Sequence, residues 1–176
     1  TNYFSNTVSV INTATNTVLT TINVGAGPLD VAVSADGTRA YVTNYFSSTV
    51  SVIDTATNTV VATLSPGGLL GDLAGHPSVS RAYVADTSGN RVIVLDTASN
   101  VAIADIPLLG PPTGLTVTAD GARLFVTQGS IGLVSVVNTQ TNAIVDTLAV
   151  DGPSKASRGP NGRIFMRAGS SIVVVE

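Results

Sequence analysis

The chain has 176 residues, of which 44% are hydrophobic and 11% charged, with 17 glycines, 8 prolines and no cysteine; that length packs a core without disulfides, and Cys-based zinc modules are excluded. Eight basic side chains against eleven acidic ones leave a net charge of −3, which excludes the basic footprint of a nucleic-acid partner. Apolar residues come in short runs such as Val92 to Leu95 and Ile172 to Val175, so no transmembrane segment is expected.

In chain order, Val8 to Ile11 and Val18 to Val24 read as two strands joined by the turn chemistry of Asn12-Thr13. Val31-Ala32-Val33, the turn Ser34-Ala35-Asp36-Gly37 and the run Arg39 to Thr43 form a hairpin. Val50 to Ile53, the turn Asp54 to Asn58 and the run Thr59 to Leu64 form a second hairpin. The pattern then repeats: Asn12-Thr13, Asp54-Thr55, Asp96-Thr97 and Asn138-Thr139 recur every 42 residues, as do Arg39, Arg81 and Arg123 with Tyr41, Tyr83 and Phe125. The next copy, Arg163, follows after only 40 residues, behind a turn at Asn161-Gly162. No window shows helical periodicity.

Four short strands in ~42 residues are the size of one β-propeller blade. A right-handed β-solenoid is the competing repeat architecture, but its coils are shorter and lack two hairpins per unit. The expected fold is therefore an all-β propeller of four-stranded antiparallel blades, about four in this chain, forming one domain or propeller segment. The units run approximately over 1–28 (its last two strands only), 29–70, 71–112, 113–153 and 154–176 (its first three strands). Thr1 rather than Met opens the chain, with no leader pattern behind it, so a piece of a longer or processed polypeptide is expected.

Tyr41-Val42-Thr43-Asn44, with Gly27-Pro28 before it, Ser34-Ala35-Asp36-Gly37 in the first turn and Ser51 to Val60 after it, resembles the YVTN family of propeller repeats, found in surface-layer-like and other exported proteins. The later copies drift, to Tyr83-Val84-Ala85-Asp86, Phe125-Val126-Thr127-Gln128 and Phe165-Met166-Arg167-Ala168. The resemblance implies a propeller, commonly of seven blades in relatives, and no single activity. Together with a Thr-, Ser- and Asn-rich surface on which Lys155 is the only lysine and Glu176 the only glutamate, it implies an extracellular, cell-surface or periplasmic protein. Its expected role is a non-enzymatic scaffold for a protein or glycan.

With strands A to D running from the channel outward, the D-to-A and B-to-C connections share one face and the A-to-B and C-to-D turns the other. The longer, more variable connections are D-to-A and B-to-C, and binding is expected there. Asp30 and Asp72 fall 42 residues apart where strand A begins, with Gly114 and Ala156 in the later copies. Two carboxylates on neighbouring inner strands can hold Ca2+ or form a pair with one raised pKa; alternatively each binds backbone amides of its own D-to-A loop. Tyr3-Phe4 and Tyr45-Phe46 recur in the B-to-C loop, either as a binding surface or as cover for the seam between blades.

His76 is the only histidine, lies in an A-to-B turn on the opposite face, and has no partner suggesting a catalytic or metal role. No catalytic-site signature occurs, and no cofactor is expected beyond Ca2+. The alternative function is a propeller enzyme of lactonase or lyase type using Asp30 and Asp72. Strand C has five copies and strand A four, so closure is expected to need a second chain, as a homodimer, or further sequence.

Overall fold

The computed structural model describes residues 1–159 and 162–175; Asn161, in the last predicted turn, lies outside them. Seventeen strands form five antiparallel sheets among the described residues. The first sheet is the hairpin β1 (Thr7–Asn12) and β2 (Thr17–Asn23). Three four-stranded sheets follow: β3 (Pro28–Val33), β4 (Arg39–Asn44), β5 (Thr49–Asp54) and β6 (Thr59–Leu64); β7 (Leu70–Gly75), β8 (Arg81–Asp86), β9 (Arg91–Asp96) and β10 (Val101–Pro107); β11 (Gly114–Val117), β12 (Arg123–Gln128), β13 (Leu133–Asn138) and β14 (Ile144–Ala149). The last is β15 (Pro153–Arg158), β16 (Ile164–Ala168) and β17 (Ser171–Val175). Each sheet is ordered as the chain runs, which is the meander of a propeller blade.

Local chemistry sets the turns. Asp54 Oδ1 accepts the amides of Ala56 and Thr57, Asp96 Oδ1 those of Ala98 and Ser99, and Asn12 and Asn138 do the same in their copies. Such side-chain caps hold a tight turn without sheet partners. Asn16, Asn58, Asn100 and Asn142 close these turns with φ between 54° and 58°, a conformation that asparagine tolerates better than most residues.

Between sheets the core is a series of seams. Val8 and Ile22 meet Val42 and Ile53; Tyr41, Val50 and Val52 meet Leu73, Val84 and Ile93; Val92 and Val94 meet Leu115, Leu124 and Val126; Phe125 and Val134 meet Ile164 and Met166. Each such aliphatic side chain taken from water contributes about 1.5–3 kcal/mol before chain entropy is counted.

The inner strands start earlier than the sequence pattern suggests. β3 begins at Pro28, and its pairing with β4 skips a step between Pro28 and Val31; β7 does so between Leu70 and Leu73, and β15 between Pro153 and Ala156. Each irregularity is a bulge, which frees the residues inside it from the ladder and re-aims them. Asp30, Asp72 and Lys155 each sit two residues after the first paired residue of such a bulge. The counterpart of Asp30 in the last sheet is therefore Lys155, not Ala156, because the last unit is shorter.

Four apolar seams join the five sheets in series, and none joins the last sheet to the first among the described residues, so the sheets form an open arc.

Candidate functional site

The bulges bring together Asp30, Asp72 and Lys155 on β3, β7 and β15. Lys155 Nζ lies 2.5 Å from Asp72 Oδ1 and 3.1 Å from Asp30 Oδ2. The carboxylates also hold the next inner strand: Asp30 Oδ2 accepts the Leu73 amide at 3.0 Å and Asp72 Oδ2 the Leu115 amide at 2.7 Å. Sequence reasoning offered backbone amides of each residue's own D-to-A loop; the amides used belong to the neighbouring blade. Thr43 extends this stitching, accepting the Asp30 amide and donating its hydroxyl to the Gly71 carbonyl.

The third position of the series is Gly114. A Cβ there would stand 2.6 Å from the Lys155 Cα, so only glycine lets β15 approach β11 this closely. Lys155 thus crosses an empty position to reach the two carboxylates.

Their electrostatics follow from burial and order. The Asp72 side chain is 8% exposed, and burial, followed by its hydrogen bond with Asp30, pushes its pKa up to about 6, against the opposing pull of Lys155 and the Leu115 amide. Burial also disfavours the Asp30 anion, but hydrogen bonds from Asp72, the Leu73 amide and Lys155 outweigh it and hold Asp30 below the ordinary carboxylate range. For Lys155, burial is opposed and outweighed by the carboxylates, Asp72 first, so its pKa is raised. The cluster therefore carries one labile proton near pH 6 on a carboxylate pair.

As a metal centre the donor set is thin. Ca2+ takes about six to eight oxygens, and no group of three or more His, Cys, Asp or Glu gathers among the described residues. The ammonium already supplies the positive charge between Asp30 and Asp72.

The aromatic residues of the two B-to-C loops converge. Tyr3 packs on Phe4 at 5.1 Å and on Phe46 at 5.4 Å, and Phe46 packs on Tyr45 at 5.5 Å, separations at which edge-to-face pairs attract. The row spans the first seam, yet Phe4 is 96% and Phe46 65% exposed. Backbone bonds from Tyr45 to Gly27 and from Phe46 to Ala26 fix the second loop. The Phe46 ring lies 2.7 Å from where a Cβ of Gly27 would stand.

His76 is a clasp. Nδ1 accepts the amides of Ser78 and Val79 at 3.2 Å each, which leaves Nε2 to donate to the Gly121 carbonyl at 3.0 Å on the next blade. Burial first, then the charge of Arg81, lowers its pKa. Arg39 pairs with Asp54, Arg81 reaches the Thr139 carbonyl and Arg123 the Ala122 carbonyl.

Sequence reasoning missed Lys155 as a member of the site because it counted by 42. The signal was present: Gly27-Pro28 precedes Asp30 by two residues, and Gly152-Pro153 precedes Lys155 by the same interval. Also missed was the asparagine ending Tyr41-Val42-Thr43-Asn44: Asn44 Nδ2 donates to Thr49 and Ser51 across to β5, as Asn2 does to Thr7 and Ser9.

No family model matches the chain, and no curated relative does. Among solved structures it is similar to the hydrazine synthase of Kuenenia stuttgartiensis, at 21% identity and a TM-score of 0.87 over 97% of this chain and 52% of that one. It is also similar to the Cps50 (Swd1) β-propeller domain of Myceliophteria thermophila, at 14% identity and a TM-score of 0.82 over 96% of this chain and 58% of that one. The chain thus spans about half the length of these structures, and the likeness shows the fold: a β-propeller.

Proposed function

We propose that this chain is a rigid binding scaffold of an exported or cell-surface protein, with resemblance to YVTN repeats, and that it engages a protein partner through the D-to-A and B-to-C loop face. The observation that carries this reading is the aromatic row of Tyr3, Phe4, Tyr45 and Phe46, in which half-buried Tyr3 and Tyr45 support exposed Phe4 and Phe46 on loops tied to a rigid seam. Exposed aromatics on a preorganised base bury large area at small entropic cost, which is how hot spots work.

The test is a benzophenone photocrosslinker carried at residue 46 of the parent polypeptide in its own cells. A single surface protein captured there, and lost on Phe4→Ser with Tyr3 intact, supports the scaffold. A captured glycan, or labelling unchanged by Phe4→Ser, overturns the protein reading.

A second reading is favoured by one observation, the meeting of Asp30 and the buried Asp72 on a single ammonium, where burial raises the Asp72 pKa to about 6. In it the chain is part of a propeller enzyme of lactonase or lyase type, with Asp30 as base and Asp72 as acid, or with Ca2+ displacing Lys155. Stoichiometric Ca2+ lost on Asp72→Ala supports it, and metal-free, fully stable protein counts against the calcium form.

A further inference from the structure

On the face opposite the aromatic row, a cavity of about 490 Å3 opens between the turns of the first two complete blades, lined by residues that include Ser34, Arg39, Val79, Ser80, Thr97 and Asn100. Its origin is a difference between repeats. At the next seam the counterpart of Ser34 is His76, whose ring closes on Gly121, and the counterpart of Arg39 is Arg81, which crosses to the Thr139 carbonyl. At the seam between the first two complete blades Ser34 is short and its hydroxyl bonds within its own turn, to Asp36 and Arg39. Arg39 turns back to Asp54 and the Thr38 carbonyl of its own sheet. The two positions that seal the seam between β7–β10 and β11–β14 thus leave the seam between β3–β6 and β7–β10 open.

We infer that this cavity is a binding site for an uncharged polyhydroxylated molecule of mono- or disaccharide size. The volume falls in the range of about 300–1,000 Å3 typical of small-ligand sites. Its lining carries one cation and one anion, each engaged by the protein itself: Arg39 pairs with Asp54, and Asp36 accepts the hydroxyls of Ser34 and Thr38 and the Thr38 amide, so the lining as a whole offers a ligand no net counter-charge. What stays open is neutral. The single Tyr41 phenol hydrogen is shared between the Thr97 carbonyl and Asn100 Oδ1, leaving the Asn100 Nδ2 hydrogens, and the hydroxyls of Ser78 and Ser80 complete a set of donors and acceptors matched to sugar hydroxyls. Pro77 and Val79, the latter exposed, give the apolar wall on which a sugar's C–H face rests. Tyr41, buried, holds the floor rigid through its bonds to Thr97 and Asn100.

The experiment titrates the labelled chain with glucose, N-acetylglucosamine, maltose and cellobiose, with glucuronate and glucosamine as charged controls, and follows amide NMR shifts. Saturable shifts confined to the amides around Ser34, Ser80 and Asn100, with a dissociation constant near or below ~1 mM, are expected for at least one neutral sugar. Ser80→Leu fills the cavity from an exposed position. Asn100→Gly suits the positive φ and leaves Tyr41 its bond to Thr97. Each is expected to weaken binding more than ~10-fold; Ser80→Leu is expected to leave the melting temperature unmoved, and Asn100→Gly, which removes one bond to Tyr41, to keep the amide spectrum of the folded chain. No saturable shift with any neutral sugar, binding that survives both variants, or preference for a charged sugar overturns the inference.

Discussion

An ammonium held between two carboxylates lowers the proton affinity of both, so Lys155 opposes the upward push of burial on Asp30 and Asp72. Lys155→Met is expected to raise both pKa values, Asp72 from its value near 6, in a carboxyl-carbon NMR titration; unchanged midpoints would show that Lys155 points away in solution. The residue scale also carries two opposed pH effects. Asp72 has a folded pKa above its ordinary value, so its ionisation costs stability as pH rises from about 4 through 6. His76 has a depressed folded pKa, so its contribution is whole above about 6.5 and is lost as pH falls through the folded value. Asp72→Asn removes the first effect, and its urea midpoint is then expected to fall on acidification from pH 7 to 5, while adding His76→Gln flattens that slope. A midpoint that rises on acidification in Asp72→Asn would rule out the clasp. His76 was legible as structural from the lack of any partner, whereas Lys155 was not read as a site residue, since its role depends on three strands meeting.

At the scale of the element, alternation and turn chemistry made the strands readable: Val50 to Ile53 and Thr59 to Leu64 were placed within a residue of β5 and β6. The bulges were not, because each follows directly on the first paired residue of its strand, too early for an alternation to precede it, and Asp30 read as a strand start when it sits inside β3. Glycine shows the same divide. Gly37, φ +73°, meets nothing within 4 Å of its absent Cβ, and its need is visible from the Asp-Gly turn alone. Gly114 is required by a neighbour 41 residues away. Gly114→Ala is expected to cost about 1–3 kcal/mol in urea denaturation as β15 is forced off β11, and a neutral result would mean that the inner strands do not approach this closely. On β5, Val52 is fully buried in the seam with the next sheet. Val52→Asp is expected to cost about 4 kcal/mol, a buried unpaired carboxylate being severely penalised, while Asp36→Asn in an exposed turn shifts the midpoint far less. Equal midpoints for the two would remove β5 from the core.

For the whole molecule, the decisive feature is the open arc. In a four-stranded blade the third strand pairs on both sides. Here, among the described residues, β1 pairs only with β2 and β17 only with β16, apart from the isolated bridge at Asn2 and Thr7. Each therefore presents an unpaired ladder of amides and carbonyls, the template on which strands add. Apolar side chains line the opening: Leu29, Val31 and Val33 on β3 are exposed toward the side where the first sheet is only a hairpin, and Ile172 and Val174 are exposed on β17. A strand edge beside exposed aliphatic groups gains both ladder bonds and apolar burial on pairing, which favours joining arcs over leaving them apart. The 176-residue chain in isolation is expected to self-associate, with a light-scattering mass rising above 17.7 kDa as concentration increases. A charge placed at the seam, Val31→Lys, should return it toward monomer, since lysine on an exposed edge opposes pairing. A constant monomer mass across the concentration range would show that the edges are protected in solution. Association undiminished by Val31→Lys would place the contact away from β3, at the edge of β17.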